Sequence, residues 1–278
     1  MTGGAAGLYA ASAARVLRAR RLHGLRDRLR TGEERLVFVV GSPRSGTTFL
    51  AGTIGGLPGF VDLSEVTPHK ANLPLLAELP EEQAARRIRT VLERVRRLAL
   101  VPGLRGVEQT PETAFLLAAA LRAYPDGRAV HMVRDGRDVV CSLLDRGWLR
   151  ADRAGGDDAG LSYGVRARFW VEPERRAEFE TASDATRAAW AWRRYLEAAR
   201  AGGGARTLEV RYESIGSDPA AVATAIAEHL DADRGALASG LGRFHDRSIG
   251  RFRRDLTPEE LGDVEREAGP LLTQLGYL

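Results

Sequence analysis

The sequence contains very little cysteine and no long apolar run. Cys141 is the single cysteine in 278 residues, so the chain cannot close an internal disulfide, which is typical of proteins in a reducing compartment. No apolar stretch approaches the ~18 residues of a membrane-spanning helix. Residues 1–34 also lack the apolar segment of a secretory signal. These absences lead us to expect a cytoplasmic protein.

Lysine is almost absent as well, whereas arginine is abundant. Lys70 is the only lysine among 41 basic residues, and the chain carries a net charge of +4. The guanidinium group is a planar fork that binds phosphate and sulfate through paired hydrogen bonds. The composition therefore fits a protein that binds anionic ligands, and for most of these arginines it fits an ordinary solvated surface equally well. No motif that reads nucleic-acid bases is present, and we expect no nucleic-acid partner.

Short valine-rich runs alternate with longer segments rich in alanine, leucine and arginine. This alternation is typical of an α/β protein with a mostly parallel central sheet. The predicted strands are residues 36–40, 60–63, 129–133 and 207–211. One predicted helix begins near residues 45–48. The others span residues 81–98, 113–123, 134–144, 185–200, 219–230 and 258–271. The first strand is continuously apolar, so we expect it at the buried centre of the sheet.

The domain organisation is predicted to be simple. We divide the chain into a basic helical extension, residues 1–34, and one domain, residues 35–278. Residues 8–29 are expected to form a basic helix that either contacts an anionic membrane surface or packs on the domain. Irregular spacing of its apolar residues favours packing. Residues 151–160, which are rich in glycine and aspartate, are predicted to be a flexible insertion.

A glycine-containing loop directly follows the first predicted strand. Gly41 and Gly46 are separated by four residues and followed by Thr47 and Thr48, which is the spacing of a P-loop. In such loops, backbone N–H groups and a helix N-terminus surround an anion. Nucleoside triphosphatases place lysine after the second glycine, but here that position is threonine, and the cation is Arg44. We therefore predict a P-loop-like three-layer α/β/α fold with altered ligand chemistry.

Residues 43–48, Pro-Arg-Ser-Gly-Thr-Thr, resemble the loop that holds the 5′-phosphosulfate group in the sulfotransferase superfamily. The family's donor is 3′-phosphoadenosine-5′-phosphosulfate (PAPS), its product is 3′,5′-bisphosphoadenosine (PAP), and no metal is required. The resemblance implies that the donor is held by Arg44, Ser45, Gly46, Thr47 and Thr48.

Two further segments resemble the family. Arg134 ends a predicted strand and Ser142 follows eight residues later, and family members use this pair to hold the 3′-phosphate. The rival interpretation is a Walker B strand with Asp135 on magnesium, which Thr47 makes less favourable. Near the C-terminus, Gly250 and Arg251 match a Gly-Arg-Trp segment that covers the 3′-phosphate, although Phe252 replaces the tryptophan. Arg247 is a weaker match in the same segment.

Tyr212 resembles a tyrosine that lines the adenine pocket of the family, although core packing explains it nearly as well. Together the resemblances span residues 36–275, so residues 35–278 are predicted to be a sulfotransferase domain.

The predicted reaction needs a proton acceptor for the acceptor hydroxyl and a cation for the leaving phosphate. We assign the cation to Arg44. Carbohydrate- and tyrosine-directed relatives use a glutamate shortly after the first helix, and Glu65 occupies that place. The alternative bases are His69, Glu108 and His131. Gln109 stands where many relatives carry a lysine, so either Arg44 suffices or Lys70 compensates.

The acceptor is less defined than the donor. We expect a hydroxylated small molecule or carbohydrate, in a pocket shaped by residues 66–80 and 145–185. The aromatic candidates for its lining are Trp148, Tyr163, Phe169 and Trp170. A P-loop kinase or NTPase and a non-catalytic nucleotide-binding module are the alternative functions.

Overall fold

Five parallel strands form one central sheet in the structure, a computed structural model that describes residues 5–19, 24–25, 32–150 and 168–278. The strands are β1 (Val37–Val40), β2 (Phe60–Ser64), β3 (Arg105–Glu108), β4 (Arg128–Val133) and β5 (Thr207–Arg211). Their order across the sheet is β2-β3-β1-β4-β5, and every pairing between neighbours is parallel. The predicted α/β class and the central position of β1 are confirmed.

Helices connect the strands and cover both faces of the sheet. In chain order, those whose bounds the described residues give are α1 (Ala5–Ala19), α2 (Thr47–Gly55), α3 (Thr67–Leu76), α4 (Glu81–Leu98), α5 (Leu117–Ala123), α6 (Gly136–Arg146), α7 (Arg176–Thr181), α8 (Asp184–Gly203), α9 (Tyr212–Ser217), α10 (Pro219–Leu230), α11 (Arg234–Leu241), α12 (Phe252–Asp255) and α13 (Pro258–Gln274).

The side chains of β1 show why its sequence is continuously apolar. Val37 and Val39 pack into the apolar cluster that contains residues of α2, α10 and α11. Phe38 and Val40 point the other way, into the cluster that contains residues of α4, α5 and α8. A parallel strand buried on both faces requires apolar residues at every position. The predicted three-layer α/β/α arrangement is thereby confirmed.

The boundaries of most predicted elements agree with the structure to within a few residues, with two departures. The segment predicted as one helix over 113–123 is a 3₁₀ helix, Pro111–Leu116, followed by α5. Strand β3 was not predicted, because Val107 is its only large apolar residue. The predicted insertion at 151–160 lies outside the described residues.

The N-terminal helix packs on the domain. Residues 8–19 of the predicted helix over 8–29 belong to α1, which contacts β2, α3 and α4. Ala13 and Val16 of α1 are buried within the same apolar cluster as the β1 residues Phe38 and Val40. Within the described ranges, no helix is both long and apolar enough to cross a bilayer.

Candidate active site

The carboxyl ends of the five parallel strands lie along the same edge of the sheet, where ligands of such folds bind. Strand β1 leads into Gly41, β2 into Glu65, β3 into Gln109, β4 into Arg134 and β5 into Tyr212. Candidate residues from five distant parts of the sequence are therefore brought to one edge.

The loop between β1 and α2 is a tight turn that lies close to Tyr212. The backbone N–H and the hydroxyl of Ser45 both donate to the carbonyl of Ser42, at 3.1 and 2.6 Å. Gly46 has φ 96°, and a Cβ at this position would lie 2.7 Å from the ring of Tyr212. Only glycine combines that backbone conformation with such a close approach.

Helix α2 begins immediately after Gly46, so its first amides are available to an anion. Thr47 and Thr48 start the helix, and amides in this first turn have no intrahelical acceptor. The helix N-terminus also carries a partial positive charge. Arg44 lies in the same turn with φ 73°, a left-handed conformation that is uncommon for a residue with a side chain.

The side chain of Arg44 contacts helix α6. Its Nε donates to the hydroxyl of Ser142 at 3.0 Å, and its guanidinium carbon lies 5.7 Å from the ring centroid of Trp148. The structure thus joins Arg44, predicted to act at the 5′ side of the donor, with Ser142, predicted to act at the 3′-phosphate.

Arg134 links the loop to the C-terminal segment. It donates from Nη1 to the carbonyl of Arg44 at 3.0 Å and from Nη2 to the carbonyl of Ser248 at 2.5 Å. Its guanidinium lies 4.4 Å from the ring centroid of Tyr212. Among the described residues, none accepts a hydrogen bond from its buried Nε. This donor of Arg134 lies at the point where an anion is expected.

Asp138 holds the C-terminal segment against helix α6. Its carboxylate accepts from the amide of Gly250 at 2.7 Å and from the amide of Phe252 at 3.0 Å. Burial raises the pKa of Asp138, although these two hydrogen bonds oppose the shift. The sequence analysis did not select this residue. Its position four residues after Arg134 was the available signal.

Arg251 is engaged by two carboxylates. Its Nη2 donates to Asp145 at 2.9 Å and its Nε donates to Asp255 at 2.6 Å. Burial opposes these hydrogen bonds, but their net effect raises the pKa of Arg251. Arg247, the weaker match, is exposed to solvent. The backbone of this segment is thus better placed beside Arg134 than its arginine side chains are.

Tyr212 combines packing with a polar contact. Its ring belongs to the buried apolar cluster of β1 and packs edge-on against Phe244, with centroids 4.8 Å apart. Its hydroxyl lies 3.0 Å from that of Ser248. Tyr212 therefore contacts the loop at Gly46 and the C-terminal segment at once.

Glu65 is oriented by an irregular end to strand β2. Ser64 has φ 57°, its amide donates to the carboxylate of Asp62 at 2.7 Å, and the register with β3 shifts there. The next residue, Glu65, accepts from Nζ of Lys70 through Oε2 at 2.6 Å. In the described part of the chain, no donor contacts its other oxygen, Oε1.

Two of the alternative bases, His69 and Glu108, both contact the hydroxyl of Thr113. Thr113 donates to Oε2 of Glu108 at 3.0 Å, and Nε2 of His69 lies 3.0 Å from the same hydroxyl. Both residues are fully buried. Burial raises the pKa of Glu108 to about 7 and lowers the pKa of His69 to about 4. Glu108 is therefore protonated at neutral pH in about half of the molecules, and His69 is neutral.

The third alternative, His131, lies inside the sheet. Its Nδ1 is 3.4 Å from the carboxylate of Glu209 on the neighbouring strand β5, and its ring is buried. His131 precedes the end of β4 by two residues, whereas Glu65 follows the end of β2. Glu65 is therefore the better placed candidate.

Gln109 contacts the start of helix α2 directly. The hydroxyl of Thr48 donates to Oε1 of Gln109 at 3.3 Å. The residue that stands in the place of the family lysine is thus bonded to the first turn of α2.

The aromatic candidates for the acceptor pocket separate into two groups. Trp148 lies beside Arg44 at the site. Phe169 and Trp170 pack with other aromatic residues, Phe169 against Phe115 and Trp170 within the buried core. Tyr163 lies outside the described residues.

The buried carboxyl group of Glu108 predicts an unusual dependence of stability on pH. Its pKa in the folded protein, about 7, exceeds the ordinary value of 4.5. Its stabilising contribution is therefore complete below pH 4.5 and is lost as the pH rises through about 7. In urea unfolding, the difference in free energy of unfolding between Glu108→Gln and the parent protein should shift in favour of the variant by about 3 kcal/mol as the pH rises from roughly 4 to 8.

His69 supplies the opposite control. Its pKa is lowered from 6.5 to about 4, so its contribution is complete above pH 6.5 and is lost as the pH falls toward 4. His69→Gln should therefore gain stability relative to the parent protein at acid pH. If the free energies of unfolding of Glu108→Gln and the parent protein changed in parallel between roughly pH 4 and pH 8, the raised pKa of Glu108 would be contradicted.

The comparisons with known proteins agree with this geometry. A family model described as the sulfotransferase family matches residues 62–234, which is more than half of the chain. Among curated protein sequences, none is significantly similar.

Two solved structures superpose on most of the chain. The sulfotransferase domain of the curacin biosynthetic pathway has a TM-score of 0.52 and 15% identity, and the alignment covers 87% of this chain and 98% of that domain. A sulfotransferase from Mycobacterium avium has a TM-score of 0.51 and 15% identity, with 97% of this chain and 84% of that one covered. At this identity the likeness shows a common fold. With the family match across residues 62–234, the chain belongs to the sulfotransferase family.

Proposed function

We propose that the protein transfers the sulfuryl group of PAPS to a hydroxyl of a small-molecule or carbohydrate acceptor. The observation that carries this proposal is the contact of Arg44 with Ser142, together with the bond from Arg134 to the loop. Two arginines and a serine thereby converge on a helix N-terminus, which suits a ligand with two separated anionic groups.

The residues around the loop fit such a donor. The first-turn amides of α2, including that of Thr48, and the hydroxyl of Thr47 would supply donors for the 5′ group, whereas the hydroxyl of Thr48 donates to Gln109. Ser142 and the buried Nε of Arg134 would supply donors for a second phosphate. Tyr212 would border the nucleoside, because it contacts Ser248 and Arg134, and Gly250 would do so because it follows Ser248 by two residues and is bonded to Asp138.

PAPS, when bound, supplies the sulfuryl group and leaves as PAP. Arg44 would stabilise the charge that develops on the 5′-phosphate, a fixed cation that requires no reorganisation during the reaction. Glu65 would accept the proton of the acceptor hydroxyl through Oε1, since Oε2 is held by Lys70. Gln109, bonded to Thr48, would stiffen the loop rather than supply the positive charge of the family lysine.

PAP should stabilise the protein more than ATP with magnesium does. Ligand binding to the folded state at about 100 times Kd adds about 2.7 kcal/mol, which in a domain of this size shifts Tm by on the order of 5 °C. Thermal unfolding with PAP, with ATP and magnesium, and with adenosine 5′-monophosphate checks the prediction. In Ser142→Ala the advantage of PAP over the monophosphate should shrink, because the second phosphate loses a donor.

A larger shift with ATP than with PAP would favour a kinase or NTPase. Stabilisation by PAP without transfer to any acceptor would favour a non-catalytic nucleotide-binding module. Incubation with radiolabelled PAPS and a cell extract, followed by mass spectrometry of labelled products, would identify the acceptor class.

A further inference from the structure

The single lysine of the chain lies at the candidate base. Every other basic position is arginine, and Lys70 alone keeps an ammonium group. Ammonium is a compact charge with three rotatable donors, whereas guanidinium is a large planar fork. In a chain so biased toward arginine, a buried lysine indicates a place where the smaller group is needed.

The backbone puts Lys70 directly behind Glu65. Helix α3 begins two residues after Glu65, and the amide of Lys70 donates to the carbonyl of Val66 at 2.9 Å in its first turn. The side chain turns back from the helix to the end of strand β2. Only 6% of the Lys70 side chain is exposed, compared with 30% for Glu65. The cation is thus inside the protein and the carboxylate is at its edge.

Lys70 also reaches a second element. Its Nζ lies 3.8 Å from Oε2 of Glu112, whose side chain is 8% exposed. Glu112 belongs to the 3₁₀ helix that follows strand β3. Lys70 therefore connects the end of β2 with the segment after β3, and its contact with Glu112 lies in the protein interior.

The charge balance around Glu65 depends on this cation. Glu65, Glu108 and Glu112 are three carboxyl groups in one region, and the charge of Glu65 contributes to the raised pKa of Glu108. Neighbouring carboxylates repel one another because their charges have the same sign. Lys70 offsets part of that repulsion, so removing it would drive Glu65 away from its neighbours and toward solvent.

We propose that Lys70 is the positioning residue for Glu65, holding Oε2 so that Oε1 faces the acceptor hydroxyl. The inference rests on the proposed function, since the orientation of Glu65 matters to turnover only if Glu65 is the base. If the Glu65 side chain is already fixed in the reactive orientation, less conformational entropy is lost on reaching the transition state.

Removal of the ammonium group should lower turnover without weakening donor binding. Water is the simplest hydroxyl acceptor, so the reaction measured is release of sulfate from radiolabelled PAPS. In Lys70→Ala we expect kcat to fall about 100-fold, the effect of a misplaced catalytic group. The thermal shift with PAP should stay unchanged. Propylammonium, which replaces the missing part of the side chain, should restore much of the rate, whereas propanol should not.

Two variants serve as controls. Lys70→Met fills the same space without a charge, so it should be slow and should not respond to propylammonium. It also tests the proposal if Lys70→Ala does not fold. Arg86→Ala removes an exposed cation that pairs with Glu82 at 3.0 Å, and its rate should be unchanged with or without the amine.

The possible outcomes distinguish a failure of the positioning role of Lys70 from a failure of the proposed function. Normal kcat in Lys70→Met, or rescue by propanol equal to that by propylammonium, would overturn the positioning role. A parent protein that binds PAP but releases no sulfate would also overturn it. A parent protein that does not bind PAP would instead overturn the proposed function.

Discussion

Glu65→Gln should lower kcat by about 10²- to 10⁴-fold while leaving the affinity for PAP unchanged, because general base catalysis typically contributes that much. Glutamine keeps the shape of the side chain and its contact with Lys70, but it cannot accept a proton. Glu65 lies at the edge of the protein, and the donor is expected to be held by the loop after β1. Steady-state kinetics with radiolabelled PAPS and thermal shifts with PAP measure the two quantities separately.

The other carboxylates provide the comparison. Glu34→Gln changes an exposed carboxylate that pairs with Arg89, and its kcat should equal that of the parent protein. Near-normal turnover in Glu65→Gln would exclude Glu65 as the base. Glu108, with its pKa of about 7, would then become the next candidate to substitute.

Arg44→Ala should lower kcat by about 10²- to 10³-fold, equivalent to about 3 to 4 kcal/mol of transition-state stabilisation. Arg44 is the cation of the loop, and alanine would remove both its charge and its hydrogen bond to Ser142. Binding of PAP should weaken as well, because the same guanidinium contacts helix α6. The measurements are kcat with radiolabelled PAPS and the concentration dependence of the thermal shift with PAP.

Charge and geometry at Arg44 are separable. Arg44→Lys keeps a cation but loses the Nε donor to Ser142, so its kcat should lie between those of Arg44→Ala and the parent protein. Arg87→Ala removes an exposed arginine from α4 and should leave kcat unchanged. If Arg44→Ala turned over at the parent rate, the stabilising charge would have to come from another residue.

Much of the fold could be predicted because its signals are local. The continuous apolar run of β1 and the glycine spacing of the following loop each lie within ten residues. Helix α4 was predicted at its observed bounds, since its apolar and charged residues follow helical spacing.

Strand β3 was missed for a physical reason. Its sequence, Arg-Gly-Val-Glu, has no strand pattern, but β1 and β2 supply pairing partners on both sides. The side chain of Leu63 lies where a Cβ of Gly106 would be, so β2 fills the space that β3 leaves empty. The strand thus depends on its neighbours rather than on its own residues.

Some residues of the candidate site could likewise be predicted from the sequence, whereas the contacts between them could not. Arg134 and Ser142 are close in sequence, and their resemblance to a known pattern selected both. Their contacts with Arg44 and Ser248 join residues about one hundred positions apart, which spacing cannot predict. The role of Asp138 became visible only when the C-terminal segment was seen to bond to it.

The sequence by itself determined a glycine loop with arginine in place of lysine between a buried strand and a helix, and the alternation of strands and helices around it. These properties follow from residue type and local spacing. The tertiary structure decided which of the acids is partly exposed and which are buried, and it placed the single lysine against Glu65. Burial and charge pairing depend on segments that meet only when the sheet is assembled, so no local pattern contains them.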